Sequence, residues 1–203
     1  MINSEGKEAA EYMAERGVTA FVLRYRLFRE DGSPYTIEDA RADTERAIRK
    51  LRSKAVDYNL DPSRVGIMAF SAGGELARMA LLSPPVPALG QTDAIDNLPS
   101  RPDFGILVYP GPLKGDIETV TKNAPSLFMV AANDDECCSE PIIDILSAYN
   151  KAGARAEAHI YAEGGHAFNM GKRTKTKNLA IWPERLSEWM EQAGLLDRRV
   201  PEQ

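Results

Sequence analysis

Cysteine is scarce in this chain: it has two, Cys137 and Cys138, and they are neighbours. That adjacency rules out an ordinary disulfide closing a long loop, so the expectation is two reduced thiols facing the core. No C-x-x-C pair or His/Cys cluster with metal-ligand spacing occurs, so no metal site and no cofactor are expected. No apolar run approaches the ~20 residues of a membrane span, and no charged-then-apolar leader follows Met1. A soluble protein is expected, with the cytoplasm the favoured compartment. Basic residues are outnumbered, 25 Lys and Arg against 30 Asp and Glu. A nucleic-acid partner is therefore not expected, since no basic stripe is available to neutralise phosphates. The one basic run, Lys172 to Lys177, reads as a solvated loop before the last helix. Internal repeats and low-complexity tails are lacking as well. Residues 1–203 read as one domain, long enough to bury roughly 70% of its unfolded surface.

What is present centres on Arg64 to Ala77, where the apolar run Val65 to Phe70 ends on Ser71 and an Ala/Leu-rich helical pattern begins at once. Strand, sharp turn and helix in that order form a nucleophile elbow, here Ala69-Phe70-Ser71-Ala72-Gly73 in place of G-x-S-x-G. Such a turn raises the serine hydroxyl to where a base can reach it. The amides opening the helix face the negative charge that develops during acyl transfer.

The other elements follow from hydrophobic period and punctuation. Ser4 can cap a helix with Ala9, Tyr12 and Met13 on one face and Gly17 at its end. Thr19 to Leu23 reads as a strand. Thr36 and Asp39 form a capping box for a long helix that buries Ile37, Ala40, Ala47, Ile48, Leu51 and Ala55. The proline-rich stretch from Ser83 towards Asn97 is an irregular connection able to roof a site. Phe104 to Val108 and Leu127 to Ala132 read as buried strands. Helical spacing returns at Ile142, Ile145, Leu146 and Tyr149, and Ala156 to Tyr161 alternates like a half-exposed edge strand. A last helix aligns Leu179, Trp182, Leu186, Trp189 and Ala193. This alternation predicts an α/β fold, a mainly parallel sheet of about five strands with helices on both faces, whose ligand sits beyond the carboxyl ends of the strands.

A serine nucleophile needs a base and a carboxylate to orient that base. Of the two histidines, His159 lies inside the alternating strand and reads as a packing residue. His166 follows that strand in Glu163-Gly164-Gly165-His166-Ala167-Phe168, where paired glycines let the backbone present the imidazole. Asp134 and Asp135 both follow the Leu127 to Ala132 strand at the same end of the sheet, and either can supply the carboxylate. The other then serves the turn. The order Ser, Asp, His is that of an α/β-hydrolase.

On these residues, together with Glu5-Gly6, Ala20 to Arg26, Arg101 to Phe104 and Tyr109-Pro110, the chain resembles the α/β-hydrolase superfamily, and within it the small carbohydrate-esterase and xylanase-associated acetylesterase branch. The resemblance spans nearly the whole chain. It implies Ser71 as nucleophile, His166 as base and later acid, Asp135 rather than Asp134 as the residue holding His166, and the amide of Ala72 as an oxyanion donor. The implied substrate is a small carboxylic ester, acetyl-type and carbohydrate-borne. Two departures accompany it. Ala69 replaces a family glycine, and the upstream strands with their His-Gly-Gly or Gly-Gly-Gly loop, source of the other oxyanion amides, have no counterpart in residues 1–20. The expectation is a shortened fold in which the Thr19 to Leu23 strand pairs directly with the elbow strand. The alternatives are a segment supplied by a neighbouring copy in a homo-oligomer and a shortened gene product. Competing functions are a serine peptidase of the prolyl-oligopeptidase type and a catalytically impaired binding relative.

Overall fold

Of the four segments that pair, the two central ones are buried on both faces and read as continuous apolar runs, whereas the two outer ones are only partly buried. In the computed structural model, which describes residues 2–85, 93–112 and 117–196, the four are β1 (Gly66–Phe70), β2 (Phe104–Val108), β3 (Ser126–Ala132) and β4 (Ala156–Tyr161). All pairings are parallel, and the order is β1-β2-β3-β4. One face buries Ile106, Val108, Phe128 and Val130 under α1 (Glu8–Ala14) and α6 (Trp182–Gln192), which contribute Met13, Trp182, Leu186 and Trp189. The other buries Leu107, Leu127, Met129 and Ala131 under α3 (Ser71–Leu82) and α4 (Glu140–Ala152), through Ala77, Leu81, Ile142, Ile145 and Tyr149. The long helix α2 (Ile37–Ser53) lies outside α3, joined by Ile48 and Ala80. This is a parallel α/β sheet covered on both faces.

Close packing between β2 and its neighbours depends on a residue without a side chain. A Cβ on Gly105 would lie 2.5 Å from Leu81 Cδ1 and 2.8 Å from Leu127 Cδ2, both in fully buried side chains. Gly105→Ala is therefore expected to destabilise the fold by about 1–3 kcal/mol, since the overpacked core cannot yield freely. Urea unfolding checks this: the midpoint falls while the slope is unchanged.

The capping box of α2 forms as read. Thr36 accepts from the Asp39 amide and the Asp39 carboxylate accepts from the Thr36 amide. Its inward face is more polar than the spacing of apolar residues implies. Arg41 and Glu45 are buried there and paired at 3.0 Å, and Ser100 also donates to Glu45. Ser4 does not cap α1. It is buried inside a π-helical turn over Ile2–Lys7, and α1 starts at Glu8 without a side-chain cap. Gly17, at φ +77°, ends that helix as expected. The last helical stretch is broken at Ile181 into α5 (Lys177–Ala180) and α6, while Leu179, Trp182, Leu186 and Trp189 keep their shared buried face.

Two expectations about connections are corrected. Residues 19–23 form no strand, so the described sheet has four strands rather than about five. A strand requires a ladder partner about 4.8 Å away, and here a cavity of about 1180 Å³ separates this segment from β1. Direct pairing does not occur, and Phe21 and Val22 remain 46% and 45% exposed. The segment is fixed instead by Arg26, whose guanidinium forks onto Asp43 (2.7 and 2.9 Å) and reaches Asp39 at 2.9 Å, tying it to α2. The described residues of the connection after α3 do not roof the carboxyl end of the sheet either. Helix α3 runs back antiparallel to β1, so the residues leading into β2 belong to the opposite end. There Asp93 and Asp96 close a short 3₁₀ turn and pair with Arg46 of α2. Residues 86–92 of that connection lie outside the described residues.

Candidate active site

Because the four strands are parallel and in register, all four carboxyl ends open on one edge of the molecule. Phe70, Val108, Val130 and Ala132 with Tyr161 mark that edge, and the loops leaving it carry every candidate side chain. Ser71 stands directly after β1 with φ +48°, a left-handed conformation uncommon for a non-glycine residue. Such strain persists only where the surroundings impose it. Here Gly74 lets the elbow close against the loop after β2: a Cβ there would lie 2.8 Å from Pro110 Cα. The Gly111 amide also donates to the Ser71 carbonyl at 3.0 Å. Ala69, in the crowded position two residues earlier, is accommodated; its Cβ is 3.9 Å from where one on Gly73 would stand.

Ser71 Oγ is 2.9 Å from His166 Nε2, and His166 Nδ1 is 2.7 Å from Asp135 Oδ2. Asp135 is buried, whereas the His166 side chain is about one-third exposed. The partners fix the proton arrangement: an acidic acceptor at Nδ1 holds the N–H there, leaving the Nε2 lone pair towards the serine hydroxyl. Asp134 points elsewhere. Its two carboxylate oxygens accept from the Gly164 and Gly165 amides at 3.1 and 2.8 Å. These two hydrogen bonds hold its carboxyl below the usual carboxylate range. Consecutive aspartates thus do different work, one on the imidazole and one on the loop that presents it. That loop is bent by Gly164 (φ +153°), Gly165 (φ +62°) and Ala167 (φ +62°).

Asp134→Asn replaces one acceptor by an amide that confronts a backbone N–H. The expected result is a loosened His166 loop and a fall in kcat of about ten- to a hundredfold, the scale set by small misplacement of a catalytic group, with KM little changed. Steady-state kinetics check it. The ionised Asp134 stabilises the folded loop at pH values above its unfolded-state pKa, and that contribution is lost as pH falls through the lowered folded-state value.

Several residues that build the site carry no local sequence signal. Tyr109, fully buried at φ +37°, packs its ring 4.7 Å from the imidazole. Its hydroxyl donates to Asn169 Oδ1 at 2.8 Å and accepts from the Asn169 amide. Burial and the nearby Glu5 carboxylate push its pKa up, so it stays a neutral donor. Trp182 Nε1 donates to the Asn169 carbonyl at 2.9 Å, pinning the chain just after His166 to α6. Glu75, one turn after Ser71 and fully buried, pairs with Arg29 at 2.9 Å. His159 stays out of the site. It meets Glu157 at 2.8 Å and packs beside Phe128. Ala72 follows Ser71 in the first turn of α3, whose opening amides have no intrahelical acceptor. The cavity beside β1 is continuous with Ser71, Ala72 and Gly73.

The cysteines depart from expectation. Cys137 and Cys138 are bonded to each other, with Cα atoms 3.7 Å apart. Adjacency excludes a long closed loop but not a small ring through a single peptide bond. Cys138 is buried and Cys137 is exposed, with its Sγ 3.4 Å from Asp135 Oδ1 and 3.9 Å from His166 Nδ1.

Known proteins resemble this chain in sequence and in fold. The BD-FAE family profile matches residues 3–101. An acetylxylan esterase of Xylanibacter ruminicola is 28% identical over 202 residues, covering 82% of this chain and 38% of that protein. The chain thus spans well under half of that relative. A crystal structure of an acetyl ester-xyloside bifunctional hydrolase from Caldicellulosiruptor lactoaceticus superposes with a TM-score of 0.80 at 25% identity, covering 93% of this chain and 76% of the other. Esterase Est2 of Thermogutta terrifontis shares the fold with a TM-score of 0.82 at 23% identity, over 97% of this chain and 78% of its own. Among the described residues no helix is long and apolar enough to cross a membrane.

Proposed function

We infer that this chain, a member of the α/β-hydrolase superfamily on the branch its esterase relatives occupy, hydrolyses small carboxylic esters through an acyl-serine intermediate. The observation that carries this reading is the unbroken hydrogen-bonded line from Ser71 Oγ through His166 to Asp135. Ser71 Oγ attacks the ester carbonyl carbon while His166 Nε2 takes its proton. The imidazolium so formed is stabilised by the Asp135 carboxylate at Nδ1. The carbonyl oxygen becomes an oxyanion that accepts from the Ala72 amide at the start of α3. Collapse of the tetrahedral intermediate breaks the ester C–O bond, and His166 returns the proton to the departing alcohol. Water repeats the sequence on the acyl-serine, His166 taking a proton from it and then restoring the Ser71 hydroxyl.

Short acyl groups suit the site. Only residues 111–125 lie between the Tyr109-Pro110 corner and β3, too few for an inserted lid domain. The relatives named above as acetyl esterases favour an acetyl group, borne on a carbohydrate. A p-nitrophenyl ester series tests this. Acetyl to butyryl esters are expected to be cleaved faster than octanoyl, and the reverse order overturns the short-chain reading. A fluorophosphonate probe is expected to label the chain. Absence of labelling in the folded protein would favour an impaired binding relative.

A further inference from the structure

The adjacent cysteines sit where hydrolysis does not need them and where they can interfere with it. The Sγ atoms of Cys137 and Cys138, a ring nitrogen of His166 and a carboxylate oxygen of Asp135 all lie within 4.8 Å of one another. Two sulfurs, an imidazole and a carboxylate form a donor set suited to a soft divalent cation of the zinc and cadmium type. Tetrahedral bonds of about 2.0–2.3 Å would place such donors about 3.3–3.8 Å apart. The longest separations in the cluster need modest contraction, and the two sulfurs, bonded to each other here, must move apart once reduced. While the sulfurs are bonded to each other the set is incomplete, because the ligand is the thiolate. We propose that, once reduced, the Cys137–Cys138 pair joins His166 and Asp135 in a site for a soft divalent cation, and that filling this site switches off Ser71.

The chemistry balances with a dithiol as reductant. One of its thiolates attacks the exposed Cys137 Sγ and expels the Cys138 thiolate. Its second sulfur then displaces Cys137, leaving a cyclic disulfide on the reagent and two protein thiols. The cation replaces the protons of both thiols. His166 can bind it only through the Nδ1 lone pair, so the ring proton moves to Nε2, where it faces Ser71 Oγ across 2.9 Å. In that tautomer the imidazole cannot accept the serine proton. Asp135 is drawn from its hydrogen bond to His166 at the same time.

This proposal rests on the hydrolytic reading only for its effect on activity, so binding is measured first in Ser71→Ala, which retains all four donors. That variant, reduced and freed of reductant under anaerobic conditions, is titrated with Cd²⁺ and followed by the ultraviolet thiolate-to-cadmium band. One cadmium per chain is expected after reduction, with no such band in the oxidised protein. The band should be absent in Cys137→Ser/Cys138→Ser, and affinity about tenfold or more lower in His166→Ala. In the chain with Ser71 intact, Cd²⁺ should abolish ester hydrolysis only after reduction, and a chelator should restore it. Three results each overturn the proposal: no cadmium uptake by the reduced protein, equal affinity in His166→Ala, or full activity in reduced enzyme saturated with cadmium. Failure of the hydrolytic reading would show separately, as no ester turnover before any reduction.

Discussion

Ser71→Ala is expected to lower kcat on acetyl esters by about 10⁶-fold while leaving the fold intact, because no acyl-serine can form without the hydroxyl. Ser71 is only partly buried, and the partner of its hydroxyl is His166, so little of the core depends on it. The check pairs kinetics with thermal unfolding. A folded Ser71→Ala protein that keeps more than a hundredth of the activity would remove Ser71 from the nucleophile role.

The second large effect belongs to Asp135. In Asp135→Asn the new side chain can keep an oxygen towards the Cys137 amide, which now approaches Asp135 Oδ1 at 3.4 Å. Its NH₂ then turns towards His166 Nδ1. The imidazole is driven to the tautomer protonated at Nε2, and kcat is expected to fall by about 10⁴-fold with KM nearly unchanged. Comparison with Asp134→Asn on the same substrate separates the two carboxylates. If the two variants lost activity equally, the assignment of Asp135 to the imidazole and Asp134 to the loop would fail.

The parts of this molecule that a reader of the sequence can anticipate are those with a local signature. Ser71 announces itself by a strand run breaking into a helix pattern over small residues, and His166 by the two glycines before it. The three apolar strands and the edge strand are visible as runs and as alternation, and the α2 cap as Thr36 with Asp39. Residues 19–23 mislead because a strand is a property of two segments. Thr19 to Leu23 has the composition of one, but its conformation depends on whether a partner lies within hydrogen-bonding distance, and here a cavity intervenes. Arg26 on Asp43, Tyr109 on Asn169 and Trp182 on the Asn169 carbonyl are equally invisible along the chain, since their partners are 13 to 60 positions away. No periodicity encodes such pairings. The Asp134 and Asp135 ambiguity has the same origin: both occupy one turn after one strand, and only the positions of the Gly164 and Gly165 amides and of the imidazole distinguish them.

That turn has a length as well as a composition. Two consecutive residues face two different targets, so each is assigned by its count from the end of β3 and not by its identity. Exposed neighbours such as Glu136 are free to drift. Loss or gain of one position between Ala132 and Asp135 would instead move one carboxylate into the other's place and carry the second away from both targets. Over evolutionary time this turn should therefore keep its length as strictly as its two aspartates, with free exchange of side chain left to exposed neighbours such as Glu136.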